Sequence, residues 1–221
     1  MALRSVLAIG GNRFPFHRFE ARGPEIAAAF GDRTDVTLTT DKDDLADLSG
    51  YDAVVDYLTD SSLTDGQLRG LLSFVEDGGG YAGVHCASDL TSTEPDDPDD
   101  VIDSRDDPFP ELRELIGGHF LTHPERAALD VNIVDHHHPV TASMGPLTVW
   151  DEPYVVDVDD SVRVLARMDH PEHADTPVVW TKSHGDGRVF YSSLGHGTPS
   201  LTHDGVRRLI RDGTRWAAGD D

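Results

Sequence analysis

Apolar and polar positions alternate along the first third of the chain in a regular way. An apolar run over Ser5–Gly11 ends in Gly10-Gly11 and predicts a first strand. The β-branched alternation DVTLTT at Asp35–Thr40 predicts a second, YDAVVDYL at Tyr51–Leu58 a third, and Gly80–His85 a fourth. Two patterns of helical spacing lie between them. One is EIAAAF within Pro24–Phe30. The other is Leu63–Asp77, where Leu68, Leu71, Leu72 and Val75 fall on one face. Thr64 is placed to cap that helix and Gly78 to stop it. Strands alternating with helices predict a parallel sheet covered on both faces.

The second half reads differently. Glu111–Ile116 predicts a short helix ending at Gly117-Gly118. Leu129–Val134, Tyr154–Val158, Val162–Met168, Thr176–Ser183 and Arg188–Leu194 predict strands with short connections, hence antiparallel additions. Val206–Ala217 closes the chain as a helix carrying Val206, Leu209, Ile210 and Trp216. Residues 91–108 are acidic and proline-rich and predict a solvated surface loop, either a lid or an insertion. No repeat or linker divides the chain, so residues 1–221 are expected to form one α/β domain.

Composition adds solvent and compartment. Of 221 residues 38% are hydrophobic, enough for one sizeable core, and no run of about 18 apolar residues exists to span a membrane. The opening MALRSVLAIGG runs into a glycine turn and reads as a strand, not a signal peptide. Asp+Glu is 41 against Lys+Arg 18, a formal net charge of -23, and the only lysines are Lys42 and Lys182. Such a surface repels nucleic acid and anionic membranes. Spread along the whole chain, the acidity fits concentrated salt, as in a halophilic archaeon. The single cysteine, Cys86, excludes an intramolecular disulfide and multi-cysteine zinc sites. It fits a reducing cytoplasm.

Twelve histidines against two lysines direct attention to imidazole chemistry. His85 ends the fourth strand, where open α/β sheets bind ligands. It is read as a metal ligand or acid/base, against a plain turn histidine. Cys86 next to it points the other way along an extended chain and is read as small buried filler. By the same strand-end logic His196, between Gly195 and Gly197, is a candidate ligand or acid/base. His119 and His123 are four apart and share a face in either a helix or a strand. They are read equally as ligands or substrate contacts and as loop residues. Glu152 is a candidate base or ligand, and Trp150 and Tyr154 beside it suggest partial enclosure. Asp135 to His138 read as turn and cap residues before Pro139, and His184 as a hairpin residue.

Taken together, several segments resemble the ThuA-like (trehalose-utilisation) family. They are Gly78–Ala87, Gly117-Gly118-His119-Phe120 with His123-Pro124, Asp135 with His138-Pro139, Asp151-Glu152 with Tyr154, Pro177–Trp180, and Gly187–His196. The resemblance implies a flavodoxin-like, class I glutamine amidotransferase-like three-layer sandwich. Its central sheet would be mainly parallel, with antiparallel additions in the C-terminal half. It implies a tie to catabolism of disaccharides such as trehalose and their 3-keto derivatives. The amidotransferase nucleophile is a cysteine at the elbow; here that position is His85, so no glutaminase activity is expected. The leading expectation is an enzyme acting on a sugar or keto-sugar. His85, Glu152 and His196 would be catalytic. His85, His119 and His196 would hold a divalent metal, zinc foremost. His119, His123, Trp150 and Tyr154 would touch substrate. The alternatives are a non-catalytic sugar- or metabolite-binding protein and a hydrolase using Cys86. GGNRFP after the first strand lacks the spacing of a dinucleotide site, so no nucleotide cofactor is expected. The aromatic-containing second half offers a surface for a homodimer.

Overall fold

A computed structural model describes residues 3–11, 16–90, 109–171, 173 and 175–220. The predicted 91–108 loop lies outside these residues. The strands are β1 (Ser5–Gly11), β2 (Asp35–Thr39), β3 (Ala53–Leu58), β4 (Gly80–Val84), β5 (Gly118–Thr122), β6 (Ala127–Ile133), β7 (Leu147–Asp151), β8 (Val155–Val158), β9 (Arg163–Asp169), β10 (Thr176–His184) and β11 (Gly187–Ser192). The helices are α1 (Phe19–Ala27), α2 (Asp65–Glu76), α3 (Pro110–Ile116), α4 (Thr198–Leu201) and α5 (Asp204–Ala217). Short 3-10 turns cover Lys42–Ala46 and His85–Ser88.

Nine strands form one sheet in the order β2-β1-β3-β4-β11-β10-β9-β6-β7, and β5 pairs with β8 in a small antiparallel sheet. The ladders from β2 through β11 are parallel. Those from β11 through β7 are antiparallel. The expected parallel core with C-terminal additions is therefore present, and the additions contribute as many ladders as the core.

Alternation along the strands divides the interior in two. Val6 and Ala8 of β1 face one way and pack with Ile26, Leu209 and Ile210 of α1 and α5. Leu7 and Ile9 face the other way and pack with Leu71, Val75 and Leu115 of α2 and α3. The result is helices on both faces of a sheet. Among the described residues no helix is long and apolar enough to cross a membrane.

Local chemistry explains most boundaries. Thr64 caps α2 in a full capping box with Gln67, and Gly78 leaves it at φ 105°. The helix expected over Pro24–Phe30 instead starts at Phe19 and ends at Ala27. Its C-terminal end tightens: Ala29 N–H bonds Ile26 O and Phe30 N–H bonds Ala27 O, leading into Gly31 at φ 68°. Residues 118–122, compatible with helix or strand, form β5. β7 was not expected; it is a five-residue strand in which Val149 and Asp151 point inward and Thr148 and Trp150 outward.

β7 lies four places from β11 in the strand order, roughly 19 Å in a flat sheet. Yet Asp151 at its end bonds the backbone beyond β11. The antiparallel half therefore curls back over the end of the parallel half. This curl brings Glu152 to the carboxyl ends of β1, β4 and β11.

Among the described residues the only buried carboxylates are Asp56, Asp89, Asp151 and Glu152; every other acid there is at least partly exposed. The acidic excess of the described residues thus resides at the surface, where salt screens it. Thermal denaturation in rising KCl should show Tm climbing from low salt into the molar range. A flat or falling Tm would show that surface repulsion does not limit stability.

Candidate functional site

Three histidines arrive from turns at the carboxyl ends of parallel strands. His17 follows β1, His85 follows β4 and His196 follows β11. His17 and His85 both adopt left-handed backbone, at φ 56° and 47°. That conformation is costly for a side chain with a Cβ and is held only where the surroundings impose it. At His85 it makes a sharp strand-to-turn elbow. Gly195 supplies room on the other side at φ 130°: a Cβ there would come within 3.0 Å of Val84 Cγ1.

The three rings and Glu152 converge. His196 Nδ1 lies 3.0 Å from Glu152 Oε2, 3.0 Å from His17 Nε2 and 3.1 Å from His85 Nε2. His85 Nε2 is 3.6 Å from Glu152 Oε2. All four donor atoms lie within 4.8 Å of one another, and all four residues are buried. The opposite ring edges are fixed: His85 Nδ1 bonds Ser193 O at 2.7 Å and His17 Nδ1 bonds Thr59 Oγ1 at 3.0 Å. A carbonyl only accepts, so His85 Nδ1 carries the proton and Nε2 of the neutral ring presents a lone pair. With neutral rings, His196 Nδ1 cannot satisfy its three close neighbours at once. Either a cation sits among them or an extra proton does.

The electrostatics follow from this crowding. Burial raises the cost of a charged Glu152, but the His196 ring at hydrogen-bond distance and the His85 ring beside it outweigh that cost and hold the carboxyl far below its ordinary value. Burial depresses His85, but the neighbouring Glu152 carboxylate, the Asp151 charge and the Ser193 carbonyl together raise it above an ordinary histidine. Burial, then the His85 and His196 rings, push His17 well below. Burial outweighs the Glu152 bond and lowers His196.

A second carboxylate supports the first. Asp151 accepts from Gly195 N (2.7 Å), His196 N (3.1 Å) and Ser200 Oγ (2.6 Å). Tyr57 Oη donates to Gly195 O at 2.8 Å, so the backbone entering His196 is gripped on both sides. The Tyr154 ring lies against His85 with centroids 4.0 Å apart, and Phe120 packs on Tyr154 at 4.2 Å. Toward solvent, Glu152 Oε1 faces Arg126 Nε at 3.6 Å and His123 Nδ1 at 3.8 Å.

The sequence-derived candidates therefore separate. His85, Glu152 and His196 come together, with Tyr154 against them and His123 at the rim. The expected ligand His119 does not join them. It lies on β5 opposite Asp157, and its ring contacts Arg113, so His17 stands in the cluster where His119 was expected. Trp150 also departs from expectation: on the outward face of β7 it is 55% exposed, while its neighbour Asp151 turns inward. Cys86 is fully buried and donates to Tyr57 O; burial and then the Asp89 charge push its thiol well above the ordinary range, which removes it as a nucleophile. His138 is buried at a turn against Trp216 and Thr181, as a structural histidine. Reasoning from sequence missed His17, Asp151's role and Arg126. For His17 the signal was its place just beyond the first strand, the same position logic that picked out His85.

Comparison with known proteins narrows the family. A family model described as trehalose utilisation (ThuA) matches residues 6–217. The chain belongs to the ThuA family. A ThuA-like protein of Parabacteroides merdae superposes with a TM-score of 0.77 at 18% identity, covering 99% of this chain and 90% of that one. One from Bacteroides uniformis gives 0.71 at 20%, covering 97% and 91%. A β-galactosidase from Bacillus circulans sp. alkalophilus contains the fold in 30% of its chain, covering 94% of this one, with a TM-score of 0.65 at 16% identity. At these identities the likeness is one of fold. A search among curated proteins found no match.

Two outcomes are expected from this geometry in the ThuA chain. Asp151→Asn sets an amide against two backbone N–H groups, at a cost of about 2–4 kcal/mol and a Tm lower by roughly 5–15 °C. Ser200→Ala should cost far less. The second concerns pH in the presence of chelator. His17 and His196 bind protons less readily folded than unfolded, so their contribution is present above about pH 6.5 and lost as pH falls. His85 has the opposite sign but is one group against two. Tm should therefore fall from pH 7.5 to 5, and His17→Gln should flatten that limb. An unchanged slope in the variant would remove His17 as its source.

Proposed function

We propose that the cluster is a divalent-metal site and that the protein is an enzyme of carbohydrate catabolism, acting on a disaccharide or keto-sugar. The observation that carries this is the crowding at His196 Nδ1, which has three polar neighbours within 3.1 Å. A tetrahedral ion with ligands at about 2.0–2.1 Å requires donor atoms roughly 3.3 Å apart. Four of the six donor separations, at 3.0–3.6 Å, bracket that value, and all six lie within 4.8 Å. Three imidazoles and a carboxylate suit zinc or another first-row divalent ion. His17, His85, His196 and Glu152 would hold it, and the bonds from His85 and His17 to Ser193 and Thr59 would orient their rings.

Such an ion would act as a Lewis acid toward a carbonyl or hydroxyl oxygen. The remaining work falls to the chain. His123 Nδ1 bonds Pro124 O at 3.0 Å and so carries its proton there, leaving Nε2 to accept one from a substrate hydroxyl. Arg126 is positioned to bind a substrate oxygen beside Glu152. Asp151 and Tyr57 hold the His196 backbone in place. The sugar assignment rests on the family description, and the His/Glu chemistry is what proton movement at sugar carbons requires. Its placement in the cytoplasm, in concentrated salt, belongs to the same proposal.

Elemental mass spectrometry on untagged protein, purified in high salt, tests the site. Near-stoichiometric metal is expected in the wild type and in His119→Ala. It should be lost in His17→Ala, His85→Ala and His196→Ala, and reduced in Glu152→Gln. Affinity should also fall on acidification, because bound rings must be neutral. No metal in the wild type, or metal retained in the ring variants, would overturn the metal centre.

A further inference from the structure

The crevice is flanked by two arginines that the metal site does not use. On the α1 side, Arg22 donates from Nη1 to Thr198 Oγ1 at 2.8 Å, which fixes the guanidinium beside Gly197. A Cβ on Gly197 would sit 3.8 Å from Arg22 Nη2, in van der Waals contact, which places the guanidinium against the backbone next to His196. The Arg22 charge is felt by the His17 ring. On the rim, Arg126 is 56% exposed, and its Nε stands 3.6 Å from Glu152 Oε1, beyond hydrogen-bond distance.

Arg22 shares with Arg4, Arg18, Arg33 and Arg69 the lack of a carboxylate at ion-pair distance among the described residues, and is set apart by its place beside the cluster and its buried Nε. Arg113, Arg163, Arg167, Arg207 and Arg215 each have a carboxylate within ion-pair distance. In a chain with 41 acidic residues, Arg22 has no such partner among the described residues. Its Nε is buried with no hydrogen-bond partner. An unneutralised guanidinium held rigidly beside a buried polar cluster is a receptor for an anionic oxygen. The long-range field of the -23 surface would oppose an anion at low salt. In molar salt that field decays within about 3 Å, and the contact cations decide selectivity.

We infer that the crevice selects anionic sugars, a carboxylate or phosphoryl group of the substrate being held by Arg22 and Arg126, over neutral sugars of the same size. This rests on the carbohydrate reading above and narrows it.

Calorimetric titration at fixed high ionic strength tests it on the protein as purified. The probes are glucose, glucuronate and glucose 6-phosphate. Glucuronate or glucose 6-phosphate should bind about tenfold or more tighter than glucose. Whichever of the two binds tighter identifies the anionic group. Arg22→Gln and Arg126→Gln should each erode that preference, and Arg22→Gln should leave glucose binding and metal content unchanged. Arg69→Gln, on the exposed face of α2, should leave the preference intact. Equal binding of glucose and both anions, or a preference that survives both crevice variants, overturns the inference and leaves the carbohydrate reading standing. Binding of none of the three sugars, in protein shown to carry metal, overturns both.

Discussion

A buried ring nitrogen with three polar neighbours at hydrogen-bond distance has a problem that neutral imidazoles cannot solve. His196 Nδ1 is that nitrogen. A single proton can serve one of its contacts; the others are lone pair against lone pair. Such an arrangement persists only if the surrounding fold forces it or if positive charge relieves it. The first condition is visible. The left-handed backbone at His17 and His85, the Asp151 and Tyr57 grip on Gly195-His196, and the Ser193 and Thr59 bonds all push the four groups inward. Within the centre Glu152 is held below and His85 above its ordinary value, the directions a buried carboxylate and imidazoles impose on one another.

The sheet topology makes the convergence possible. Parallel strands deliver three turns to the same edge, so three rings meet without any helix carrying a motif. The fourth group comes from elsewhere. Glu152 follows β7, in the antiparallel half, and reaches the rings only because that half curls over. Adjacent residues then divide the labour: Asp151 turns toward the backbone of the His196 loop, and Glu152 toward the rings themselves.

Much of this was legible in the residues. Periodicity placed the four parallel-core strands of the first half, the capped helix α2 and the closing helix. Position at strand ends selected His85 and His196. In a chain so rich in acids, Glu152 could not be distinguished by composition; it stands out only because burial sets it apart from the other carboxylates. His119 seemed favoured by its glycines, but those glycines serve a tight helix-to-strand turn, with Gly117 at φ 80° and Gly118 packed against Asp157 O. Trp150 was misplaced because β7 was not expected, and one residue of register decides which face a side chain takes. His17 lies two residues beyond GGNRFP, where no spacing or neighbouring motif marks it. Long-range convergence of four loops leaves no local pattern in sequence.

The spacing of the four groups along the chain has a consequence for folding. The four groups come from residues 17, 85, 152 and 196, which are spread over both halves of the sheet. A chain in which only the first four strands have formed carries two of the rings and lacks both the central His196 and Glu152. Nascent or partly folded chains therefore hold no four-group cluster, and its assembly reports that both halves of the sheet are in place.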